Sequence, residues 1–128
     1  MKTLLILLFL TPIFIFSQEK TDTTIVDYPD KEAEFTGGYI AQRNYLSKNL
    51  VYPEKSMMKG EQGKVYVEFI VEIDGALTHV KILQGASRRL NKEAKRVVKN
   101  MPNWAPGESD GEKVRVRCRI PFNFELTD

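Results

Sequence analysis

The stretch Lys64–Asp74, KVYVEFIVEID, constrains this chain more than any other. Val65, Val67, Phe69, Val71 and Ile73 recur at every second position, so an extended strand puts all five on one face. Lys64, Tyr66, Glu68 and Glu72 take the opposite face, with Ile70 the one apolar exception. The β-branched and aromatic side chains suit a pleated surface with one buried side. Asp74-Gly75 then offers a tight turn into a second apolar run, Val80 and Ile82, a hairpin signal.

The turn leaves two registers open. A two-residue Asp74-Gly75 turn sets Phe69 opposite Val80, Val67 opposite Ile82 and Glu68 opposite Lys81. A longer turn with Gly75 as a bulge residue brings Leu77 inward. It needs a second bulge near Thr78-His79 to return Val80 and Ile82 to the core.

Two helices flank the hairpin in sequence. Phe35–Leu50 follows Gly37-Gly38 and carries Ala41, Tyr45, Leu46, Asn49 and Leu50 at helical spacing. Tyr52-Pro53 ends it, because the residue before proline avoids the helical region. Pro53 can open a short turn, Glu54–Lys59, closed by Gly60. Leu90, Ala94, Val97, Val98 and Met101 form a stripe on a second helix, which Ser87 or Asn91 can cap and Pro102 stops. Asn103–Lys113 reads as a turn-rich loop. The last strand is Val114–Leu126, with Val116, Cys118, Ile120, Phe122 and Phe124 on one face and Arg115, Arg117, Arg119 and Asn123 on the other.

These elements predict an α+β fold: a three-stranded antiparallel sheet of order 2-1-3 with both helices packed on one face. Strands two and three run parallel on either side of the first, joined by a right-handed helical crossover.

The N-terminal residues are a different material. Lys2 is the only charge in Met1–Ser17, and Leu4–Phe16 is almost wholly apolar. That run is far short of the ~20 residues that span a bilayer, and Pro12 interrupts it. It reads as a signal peptide (1–17) cleaved near Ser17–Gln18, so the protein is expected in the periplasm. Ile15 is bulky for that place, which keeps an uncleaved anchor in the inner membrane as the alternative. Residues 18–34 are polar and without period, and are read as a flexible leader to a single domain over 35–128.

Composition narrows the function. A chain of 128 residues suffices for one modest core. Its net charge of +2 falls to +1 once Lys2 is removed, with both signs mixed, so nucleic acid is not an expected partner. The single cysteine permits no intrachain disulfide.

In order along the chain, Phe35-x-Gly37-Gly38, Tyr45-Leu46-x-x-Asn49-Leu50, Tyr52-Pro53 and Gly63-x-Val65-x-Val67-x-Phe69 recur as one set. Asp74-Gly75, Val80-x-Ile82, the Glu93-Ala94 helix, Met101-Pro102-x-Trp104-x-Pro106-Gly107 and a terminal strand ending Pro121-x-x-Phe124 complete it. This set, over about residues 35–126, resembles the C-terminal domain of TonB, the energy-transducing protein of double-membraned bacteria. Thr36 stands where the related pattern has proline, and Gln42 where it has an aliphatic residue. TonB proteins also carry an inner-membrane helix and a long proline-rich spacer, whereas this sequence shows a signal-like segment and a short polar leader. The resemblance therefore implies the binding half of that function: contact with a peptide segment of an outer-membrane TonB-dependent transporter. The other reading is an envelope adaptor domain that contacts another periplasmic protein or itself as a homodimer. Membrane contact is then expected only through partners or an uncleaved N-terminus.

No catalytic, cofactor-binding or metal-binding set is expected. Cys118 lies on the apolar face and reads as an inert thiol; His79 has no second ligand at useful spacing; Glu68, Glu72 and Asp74 read as a solvated face. The candidate partner-binding residues are Arg115, Arg117 and Arg119, with Tyr52 and Pro53. The arginines have a second reading, since charges on an edge strand deter aggregation. Trp104 is open between a partner contact and packing.

Overall fold

Alternation in the central stretch becomes the middle of the sheet. In the computed structural model, which describes residues 23–127, the chain runs β1 (Ile25–Val26), α1 (Gly38–Asn49), α2 (Glu54–Met58), β2 (Gly63–Val71), β3 (Leu77–Gln84), α3 (Arg88–Lys99), β4 (Gly107–Ser109) and β5 (Glu112–Phe124). The expected signal peptide and the first residues of the leader lie outside the described range.

The strands are ordered β1-β5-β2-β3, with β4 also paired to β5. β2 is antiparallel to both β3 and β5, whereas β1 runs parallel to β5. The expected three-stranded antiparallel sheet with two helices is thus too small: the sheet has five strands, is mixed, and accompanies three helices. What was missed is short. β1 and β4 span two and three residues, too few to show a period, and each depends on a partner strand distant in sequence.

The β2–β3 hairpin takes the longer of the two registers. Val71 lies opposite Leu77 and Ile70 opposite Thr78, while Glu68 pairs with Lys81 and Val67 with Ile82, a shift of one residue between the two halves. His79 absorbs it at φ 53, in the left-handed region, and keeps Val80 and Ile82 packed against the core. At the turn Gly75 is required twice over. Its φ is 88, and an added Cβ would stand 2.2 Å from the Trp104 carbonyl oxygen, while Trp104 donates its own N–H to the Gly75 oxygen at 2.8 Å. Because β2 ends at Val71, Ile73 leaves the inner face and is 56% exposed.

Val65, Val67, Phe69 and Val71 are fully buried beneath α3, whose Leu90, Ala94, Val97 and Val98 are equally inaccessible. The Ser87 hydroxyl accepts from the Leu90 N–H and so caps the helix, leaving Asn91 to accept from the Ala86 N–H instead. α1 buries no residue completely: Ala41, Tyr45 and Leu46 rest on the core rim, and the Tyr45 hydroxyl donates to the Val97 oxygen. Trp104 is core, edge-on to both Phe69 and Phe35 at centroid distances of 5.1 and 6.1 Å.

Two expectations about loops are overturned. Asn103–Lys113 contains β4, which folds back on β5 through Asp110-Gly111 with φ 53 and 76, the two positive values of a type I′ turn. The leader is not flexible to residue 34. Lys31 exchanges main-chain hydrogen bonds with Glu108, and Glu34 with Ala105, while Ala33 and Phe35 are buried in the core cluster. Ala33 and Phe35 alternate with polar neighbours, and their burial fixes this segment against β4.

Candidate functional site

β5 is the longest strand, and its outer edge can be assigned from one residue. Antiparallel pairs alternate between those that exchange both main-chain hydrogen bonds and those that exchange none. Pro121 has no N–H, yet lies opposite Tyr66 within an unbroken register from Gly63/Phe124 to Val71/Val116. Tyr66/Pro121 is therefore a pair of the second kind, and Val67/Ile120, Phe69/Cys118 and Val71/Val116 are pairs of the first. By parity the main-chain groups of Arg115, Arg117 and Arg119 face away from β2.

Part of that edge is taken. Ile25 pairs with Arg115 and Val26 with Val116 in parallel register. The Arg115 Nη1 donates to the Thr23 oxygen at 2.7 Å, and the Arg117 Nη1 donates to Asp27 Oδ1 at 2.7 Å. Beyond Val116, no strand among the described residues pairs with the outer edge of β5. In that parallel register the Val26 carbonyl accepts from the Arg117 N–H, so Arg119 is the first residue past β1 whose outward donor and acceptor are both left for a new strand.

The side chains of the three arginines are gathered on the sheet face opposite the helices, where they are bound to carboxylates of β2 and of Glu72 just past its end. Arg115 Nε donates to both Glu72 oxygens at 2.8 and 2.9 Å, and Arg119 Nε donates to Glu68 Oε2 at 3.0 Å. Arg117 Nε and Lys81 Nζ stand 3.6 and 3.4 Å from Glu68 Oε1. The expected solvated acidic face is therefore wrong for Glu68, which is only 7% exposed and has the charged groups of Arg117, Arg119 and Lys81 gathered on its carboxylate. Burial raises the Glu68 pKa, but hydrogen bonds from Arg119 and Lys81 and their charges outweigh it, holding the carboxyl below its ordinary value. Ile70, between Arg117 and Thr78 in the register, is buried on the same face.

Tyr52 and Pro53 do not join this site. Tyr52 packs edge-on against Phe124 near the end of β5 and donates its hydroxyl to the Glu61 oxygen. Pro53 precedes α2 and lines a shallow groove of about 620 Å³ with Lys48, Val51, Arg89 and Lys92. Cys118 is half-buried, and burial, with Glu32 adding to it, pushes its thiol up to about 11, so little thiolate forms near neutrality. His79 is exposed at the β3 bulge. The residues that sequence reasoning missed are Thr23, Ile25, Val26 and Asp27. Their one local signal was the run of four β-branched residues from Thr23 to Val26 inside an otherwise polar stretch.

The same architecture occurs in known proteins. Residues 48–126 match the family model described as Gram-negative bacterial TonB protein C-terminal. Two solution NMR structures of the Helicobacter pylori TonB-CTD are similar in fold. The first is 24% identical with a TM-score of 0.53, covering 67% of this chain and 78% of its own. The second is 23% identical with a TM-score of 0.50, covering 70% and 94%. No curated protein matches the sequence.

Proposed function

The chain belongs to the TonB C-terminal family, a family associated with TonB-dependent transport, and from that premise we propose that it binds an extended segment of an outer-membrane transporter by strand addition to β5. The carrying observation is that the outer edge of β5 already holds one parallel strand and stays open past Val116. Main-chain bonds to the edge give affinity, and the arginine-lined face gives preference for segments that carry a carboxylate.

The free edge of β3 is the weaker candidate. Its pairing with β2 is shifted in two places, and such irregularities twist an edge away from a straight incoming strand. On β5 the register is unbroken. No described helix is long and apolar enough to cross a membrane. In this reading the domain works in the periplasm, exported by residues 1–17, and meets the membrane through its partner.

Arg119→Pro tests the site. It deletes an outward donor while the Val67/Ile120 and Phe69/Cys118 pairs remain, so the fold should survive. Titration with peptides from the periplasmic ends of outer-membrane transporters should show binding to the parent chain and about a fivefold loss in the variant, the scale of one main-chain hydrogen bond of about 1 kcal/mol. Unchanged binding by a folded variant would remove β5 as the site.

A further inference from the structure

We propose that Thr23–Asp27 is a built-in occupant of the β5 edge, which a partner strand must displace before it can bind along Arg115–Arg117. This rests on the strand-addition reading above and concerns how that site is kept closed. Three observations carry it.

The segment already makes the contacts that an incoming strand would make. It is extended and parallel to β5, and it presents β-branched Ile25 and Val26 to Arg115 and Val116. Since Arg115 faces outward, its carbonyl accepts from the Val26 N–H. The segment's two ends are held by the two arginines, Arg115 on the Thr23 carbonyl and Arg117 on the Asp27 carboxylate.

The hold is weak. Ile25 and Val26 are only half-buried, and the Arg117–Asp27 pair leaves its side chains 32% and 48% exposed, where an ion pair is screened by water. A two-residue strand offers little ladder to lose.

The segment can also leave without unfolding the rest. The Asp110 N–H donates to Asp30 Oδ2 at 2.9 Å, and Lys31 exchanges two bonds with Glu108. Anchoring therefore resumes at Asp30, and exposed Tyr28 lies between the anchor and the strand. Residues 23–27 form a flap tethered beside the edge they cover, at an effective concentration on the order of millimolar.

The test uses the full mature chain and a fluorescent peptide of the sequence Thr21–Pro29, followed by anisotropy. Val26→Pro removes the donor to Arg115, and Asp27→Ala removes only the carboxylate on Arg117. An edge covered nine-tenths of the time lowers apparent affinity about tenfold, so Val26→Pro should bind the peptide about tenfold more tightly than the parent. Asp27→Ala should shift in the same direction by about two- to threefold, and carries the test alone if the proline variant does not fold. Equal binding by all three chains, or binding by none, overturns the proposal. Transporter peptides run alongside separate the two ideas. If they bind parent and variants alike, the flap is refuted while transporter binding stands. If the chain's own peptide gains affinity in the variants and no transporter peptide binds, the flap stands and the transporter reading falls.

Discussion

Phe69 shows how one side chain ties sequence pattern to tertiary packing. It is inaccessible to solvent, central in β2, and edge-on to Trp104, whose backbone in turn clamps Gly75 at the hairpin turn. Removing the ring empties the space between sheet, helix and indole at once. Phe69→Ala is expected to cost about 3–5 kcal/mol, a large part of the stability of a domain this size. Urea denaturation checks it: a loss under about 1 kcal/mol would mean that this position does not face the core. The inward direction of Phe69 was legible from alternation alone. Trp104 was not, because a lone tryptophan in a turn-rich stretch has no period to give it a face. Only its packing against Phe69 and Phe35 decides between core and contact surface.

At the scale of elements, the outer face of β2 and β5 is an ion-pair layer centred on Glu68. Arg119, Arg117 and Lys81 converge on one carboxylate that is almost covered. Glu68→Gln leaves three cations facing each other without the opposing charge. The cost is expected at about 2–3 kcal/mol, between an exposed pair and a buried one. The same geometry sets an acid limit. The folded pKa of Glu68 lies below its unfolded value, so its contribution is complete above the ordinary carboxylate range. That contribution is lost as pH falls through the lower folded value. Thermal melts of the parent chain should therefore fall off more steeply below about pH 4 than those of Glu68→Gln. Parallel curves for the two proteins would show that Glu68 is not the group responsible. The existence of β2, β3 and β5 was written in the local pattern, and so were the α3 stripe and its stop at Pro102. The pairing of β1 with β5 was not, since Ile25-Val26 gains its strand character only from an edge some ninety residues away, as the 92-residue separation of Thr23 and Arg115 records. The arginines on β5 were legible as a row. Their carboxylate partners were hidden, because a charge on a strand face looks the same in sequence whether it meets water or a neighbour.

For the whole molecule, the order in which parts open follows from how each is held. β2 is paired on both sides and fully buried at Val65, Val67, Phe69 and Val71, so its amides exchange with solvent only when the domain unfolds. β1 is paired on one side over two residues, is half-buried, and closes on exposed ion-pair contacts. Residues 31–34 stand between these limits, with main-chain bonds to Glu108 and Ala105 and with Ala33 in the core. Native-state hydrogen exchange should thus resolve three tiers. The Val26 amide should exchange through a local opening that is insensitive to low denaturant, because little surface is exposed when two residues lift. The Lys31 and Glu34 amides should be slower, and those of Val67 and Phe69 slowest, following the global unfolding free energy. Protection of Val26 equal to that of Val67 would mean that the N-terminal strand is an integral part of the sheet. It would also leave the β5 edge with no part that opens ahead of the fold.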